Sequence, residues 1–161
     1  MKISQMIRLM VGVAALSGAV QASPLSHFAE QAGVTWLIGN WATADGAVTM
    51  SFEWRLDKQV IATKMTLPDR QAEGTIALKP ATTEANMISV DNKGAVSMGR
   101  WSAYEGHPIL KSTIESEIGK MKLATRYIKQ TDDSFEVKVY RQTDTGELGE
   151  FVVGAEFKRA Q

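Results

Sequence analysis

The sequence predicts an all-β domain, an antiparallel up-and-down barrel of about nine or ten strands preceded by one short helix. Three observations predict it. Apolar and polar residues alternate with period two over several separate stretches; turn-forming residues recur at short intervals that leave no room for crossover helices; and the chain contains no cysteine, so packing alone must hold the domain. A meander of this length with one wet face protects its edges most simply by closing on itself. A two-sheet sandwich is the alternative arrangement.

The chain of 161 residues opens with a segment that is expected not to belong to the domain. Lys2 and Arg8 make a basic start with no acid before residue 22, and Leu9 to Val20 form an apolar stretch too short to span a bilayer as a helix. Val20, Gln21 and Ala22 then end it in the small-residue pattern that a signal peptidase accepts. Residues 1–22 therefore read as a cleavable signal peptide, and residues 23–161 as one domain with no membrane span left after cleavage. The leader takes two of the 18 basic residues and none of the 18 acidic ones, which leaves 139 residues with a formal charge of −2. That balance points away from nucleic acid and anionic membrane surfaces. Periplasmic or secreted localisation is expected. The sequence carries no signal for oligomeric state.

Ser23, Pro24, Leu25, Phe28, Ala29, Ala32 and Gly33 give a capping serine, a proline at the first helical position, apolar residues three and four apart, and a glycine stop. The period then changes. Val48, Met50, Phe52 and Trp54 alternate against Thr49, Ser51, Glu53 and Arg55, and the same rhythm returns at Phe135, Val137 and Val139 and at Phe151, Val153, Ala155 and Phe157. Turns are expected at Asp45-Gly46, Leu56 to Gln59, Pro68-Asp69, Asp91 to Gly94, Glu105 to Pro108, Asp132-Asp133 and Thr145-Gly146. Leu110, Ile114, Ile118, Met121 and Ile128 also fit a helical spacing, with Ser112 and Glu115 like a capping box. A hairpin turning at Gly119-Lys120 explains that stretch equally well and suits its surroundings better.

At Thr35-Trp36-Leu37-Ile38-Gly39-Asn40-Trp41 a short helix leads into Leu-Ile-Gly-x-Trp on the first strand. This pattern resembles the lipocalin-type, or calycin, entrance to a barrel. With Phe52-Glu53-Trp54-Arg55-Leu56, Trp101 and Glu156-Phe157-Lys158 it is similar, more narrowly, to a group of uncharacterised bacterial lipocalin-like exported proteins. The resemblance implies that Gly39 and Trp41 close one end of the barrel and that a basic side chain from a late strand packs over the tryptophan. Arg126, Lys158 and Arg159 are all candidates. Independently of the family, Gly39 permits a close approach and Trp41 offers a flat plug whose N–H can bond backbone.

No nucleophile beside a base, paired carboxylate or phosphate loop is evident in the sequence, and neither His27 nor His107 has a second ligand at metal spacing. No cofactor or metal is expected, and no catalytic residue is assigned. A barrel family of this layout binds haem through one histidine, which singles out His107 as a minor alternative. The expected function is binding of a small apolar or amphipathic molecule, lined by Met50, Phe52, Trp54, Met98, Met121 and Tyr127, because methionines and aromatics shape adaptable apolar walls. Arg100, in phase with Val96 and Met98, and Arg141, in phase with Phe135, Val137 and Val139, are expected to face an acidic head group, or else to reach water at strand ends. Two alternatives stand beside this. One is an interaction or inhibitor protein with a filled barrel; the other is a lumen enzyme drawing on Tyr104, Tyr127, Arg100, Arg141 and Glu53.

Overall fold

A computed structural model describes residues 24–160; the leader and Ser23, with its proposed capping role, lie outside them. Pro24 is extended (φ −62°, ψ 153°) and immediately precedes helix α1, Leu25–Gln31, so the proline sits one position before the helix rather than in its first turn. Gly33 follows with φ +65°. A 3₁₀ turn, Thr35–Leu37, then leads into ten strands: β1 Gly39–Ala42, β2 Thr49–Arg55, β3 Val60–Leu67, β4 Arg70–Leu78, β5 Ala85–Asp91, β6 Val96–Tyr104, β7 His107–Ser116, β8 Gly119–Lys129, β9 Ser134–Gln142 and β10 Leu148–Arg159. Each strand pairs antiparallel with its sequence neighbour, and β1 meets β10 to close the barrel.

The ambiguous stretch is a hairpin. Its turn lies at Glu117 and Ile118, two residues earlier than expected, and Gly119 opens β8 with φ +127°. Ile118 is 99% exposed, so the apolar residue that made a helical stripe plausible is a turn tip. Lys120 and Glu115 pair across the hairpin at 2.6 Å.

The core combines aliphatic residues such as Leu37, Ile76 and Leu110 with an aromatic cluster centred on Phe135. Phe135, fully buried, touches Trp36, Trp41, Tyr127 and Phe157 with ring centroids 4.8–6.1 Å apart. Trp41 is 1% exposed and donates its indole N–H to the Leu37 carbonyl at 2.8 Å. Of the three basic residues considered for the tryptophan, Arg159 is the one over its ring, at 4.3 Å, where the guanidinium meets the negative face of the π-system. The same group donates to the Ile38, Trp36 and Asp132 carbonyls and to the Asp133 carboxylate. A Cβ on Gly39 would stand 2.5 Å from an Arg159 nitrogen, so the glycine makes room for this clasp. Arg126 instead lies over Tyr104 and pairs with Glu105.

Candidate functional site

Strand register decides which side chains face the lumen. In an antiparallel ladder paired residues point to the same side, and inward positions alternate along each strand. On β2 the inward residues are Met50, Phe52 and Trp54, which pair with Met65, Thr63 and Ile61 of β3. That series continues through Ala72, Gly74 and Ile76 on β4, and through Asp91, Ser89 and Met87 on β5. It reaches Ser97 and Gly99 on β6 and passes to Ile114 and Ser112 on β7. Trp101, next in phase, pairs with Leu110.

Small inward residues gather on three adjacent strands: β4, β5 and β6 carry Ala72, Gly74, Ser89, Ser97 and Gly99 on the inward face, interspersed with Ile76, Met87 and Trp101. The glycines have a further reason to be there: a Cβ on Gly74 would lie 2.6 Å from the Ile88 carbonyl oxygen, and one on Gly99 would lie 2.9 Å from that of Lys111. Small inward residues leave the lumen unfilled.

Two cavities stand out among the described residues, the second of them bordered by Ala72, Ser89 and Ser97. The larger, about 520 Å³, lies under α1, between Leu25, Phe28 and Ala29 of the helix and Ile61, Ile76, Leu78 and Ala85 of the barrel wall. The second, about 260 Å³, extends toward the opposite rim between Met50, Met65 and Met87 and the hydroxyls of Ser89, Ser97 and Ser112. Phe52 and Trp101 line both and form the partition. Tyr127 lies 5.1 Å from Trp101 with the rings tilted by 34° and stands edge-on to Phe52 at 6.2 Å; burial pushes its phenol above the ordinary range, so it stays neutral. The Trp101 indole N–H is buried without a hydrogen-bond partner among the described residues.

One charged pair marks the second cavity. Arg70, at the start of β4, holds the Asp91 carboxylate at 3.0 Å where both line the wall. Burial opposes ionisation of Asp91, but donors from the Ala95 and Lys93 amides, together with the Arg70 and Lys93 charges, outweigh it and hold its carboxyl below the usual range. The carboxylate is 7% exposed and the arginine 42%, so the cation is the partner that a molecule at the rim would meet.

The expected lining residues divide accordingly. Met50, Phe52 and Tyr127 line the second cavity, and Trp54 packs against the core on the same face of β2. Met121 pairs with Ile114 in the inward phase but lies 40% exposed at the rim. Arg141 shares the phase of Val139, yet it reaches out to Glu150 at 3.8 Å with its side chain 59% exposed, as the strand-end alternative describes. On β6 the expected phase is one residue out. Met98 pairs with Ile88 on the outer face, each about half exposed, and Arg100 points outward to Glu84 at 3.6 Å. The inward set is Ser97, Gly99 and Trp101. Of the residues considered for chemistry, Glu53 pairs with Arg55 outside the barrel, Tyr104 lies under Arg126, and Tyr127 is in the core, so no acid–base group assembles from them. His107 borders the larger cavity, and no cluster of three potential metal ligands occurs among the described residues.

Arg70, Asp91 and the helix residues Leu25 and Phe28 were not expected at a site. Asp91, expected in a turn, is the last residue of β5 and caps the turn that follows it, and only the juxtaposition of the β3–β4 and β5–β6 connections reveals its contact with Arg70.

No protein-family model matches the chain, and no curated protein matches it. Among solved structures it is similar to one described as "Structure of EF1p2_mFAP2b bound to DFHBI", at 16% identity over 78% of this chain and 94% of that one, with a TM-score of 0.33. The architecture here accordingly rests on the closed ladder itself.

Proposed function

We propose that this is an exported lipocalin-like protein that holds a small, mostly apolar molecule inside its barrel. The observation that carries the reading is the unfilled lumen. The cavity of about 520 Å³ is lined mainly by aliphatic and aromatic side chains, as small-molecule sites of that size are, and the one of about 260 Å³ adds methionines with a set of hydroxyls and the Arg70–Asp91 pair. The polar groups are placed to orient an occupant, not to react with it. Arg70, with the serine hydroxyls nearby, supports a polar or anionic end at the second rim and an apolar body against the methionines. Native mass spectrometry of protein purified from the exporting cell tests the proposal, the expected result being a retained mass lost on denaturation. Protein that returns without a ligand, and then takes up none of a panel of apolar and amphipathic dyes, overturns it.

A further inference from the structure

The walls of the two cavities differ in charge. Among the described residues that line the larger one there is no lysine, arginine, aspartate or glutamate, and His107 is the one ionisable side chain on its border. An anion enclosed there would give up its hydration with no counter-charge in exchange, which is among the costliest burials a protein can make. The second cavity has a cation in its wall: Arg70 is in phase with the inward Ala72, and the hydroxyls of Ser89, Ser97 and Ser112 lie deeper along the same lumen. Phe52 and Trp101 stand between the two spaces, and Tyr127 backs both rings from the second side. The larger cavity belongs to the closed end, since Leu37, whose carbonyl holds the Trp41 indole, is part of its lining. Helix α1 roofs it and is lightly tied down. The helix is seven residues long and has no side-chain cap, and its backbone bond to the barrel among the described residues runs from the Ser26 N–H to the Lys58 carbonyl, at 3.2 Å. Lifting so short a helix opens the cavity without breaking the strand ladder, a way in that is separate from the opposite rim.

We propose that the barrel holds two separate sites of different charge class: the larger cavity, under α1, takes an uncharged apolar molecule, and the second takes an amphipathic anion. This rests on the binding reading above and adds to it the number of sites and the chemistry that each one selects. The walls do the selecting. Leu25, Phe28, Ile61, Ile76 and Leu78 reward apolar area and nothing else, so a charged analogue of the same shape is rejected by its own desolvation. At the second site Arg70, 42% exposed beside its partner Asp91, is wet enough to remain charged and placed to meet an anionic group, while Met50, Met65 and Met87 adapt to the body behind it.

Equilibrium dialysis of the purified, unloaded chain tests this with two dyes that share one skeleton, N-phenyl-1-naphthylamine and 1-anilinonaphthalene-8-sulfonate, each quantified by mass at pH 8. The sulfonate sits between the two ring systems, so it cannot stay in water while both are buried. The expected result is that one chain holds one molecule of each dye at the same time. Ala85→Leu, which fills the larger cavity, should lower the affinity for the uncharged dye about tenfold relative to the sulfonated one, and Ser97→Leu, which fills the second, should move the same ratio about tenfold the other way. Misfolding cannot imitate opposite shifts. The uncharged dye should also slow hydrogen exchange across residues 25–37 more than the sulfonated dye does. Binding of neither dye overturns the binding reading itself. Uptake of one dye alone, mutual displacement of the two, a ratio that the leucine variants do not move in opposite directions, or equal protection of residues 25–37 overturns the two-site assignment and leaves that reading in place.

Discussion

Replacing Ser97 with leucine should make the protein more stable and less able to bind. Ser97 faces the 260 Å³ cavity from β6, with Ser89 and Ile114 as its cross-strand neighbours. Leucine replaces the hydroxyl with carbon and adds two further carbons. At about 0.8 kcal/mol per buried CH₂, placing them in vacant space is worth about 2 kcal/mol. For a domain of this length that corresponds to a rise of roughly 5 °C in melting temperature. The same atoms occupy space a ligand needs, so affinity for an apolar dye in that cavity should fall by tenfold or more. Calorimetry and dye titration of the two proteins measure both quantities. Had the lumen been packed, the added carbons would cause strain costing about 1–3 kcal/mol. A lowered melting temperature together with unchanged dye affinity would therefore refute both the vacancy and its role.

Other substitutions probe the closure and the rim. Arg159→Met keeps the length of the side chain but removes its hydrogen bonds and its cation over Trp41; the loss should be about 2 kcal/mol in urea unfolding, and Arg159→Lys should recover only part of it. Gly99→Ala drives a Cβ to 2.9 Å from the Lys111 carbonyl oxygen, so it should reduce stability and weaken the β6–β7 ladder in hydrogen exchange. Asp91 has a folded pKa below its unfolded value, so its contribution is fully present above about pH 4 and is lost as pH falls through the lower folded value. Asp91→Asn should thus flatten the acid limb of a stability–pH curve, read from melting temperatures between pH 2 and 6.

The barrel was legible because its signals are local. Asp91 to Gly94 and Thr145-Gly146 announce turns through their own chemistry, and Phe135, Val137 and Val139 announce a half-buried strand through theirs. The choice of Arg159 over Arg126 and Lys158 was not legible, since it depends on Trp41 pairing with Arg159 where the first and last strands meet. The site was harder to read for a reason specific to hollow proteins. Hydrophobic alternation locates the inward face by assuming that the interior is filled with large apolar groups. On β6 the interior is partly empty, so Ser97 and Gly99 turn inward while Val96 and Met98 occupy the alternate positions. The pattern is inverted where the cavity lies. On β2, where Phe52 and Met50 form walls, the ordinary reading holds.

The partition between the two cavities also gives the molecule an optical property. Trp101 borders both spaces, and indole emission depends on the polarity and mobility of what surrounds the ring. An occupant on either side changes that surrounding, while Trp41, locked beneath Arg159 at the closed end, acts as an internal reference. With four tryptophans in the chain, replacing Trp36 and Trp54 by phenylalanine would leave one reporter and one standard. Occupancy could then be followed in unlabelled protein, by colour alone.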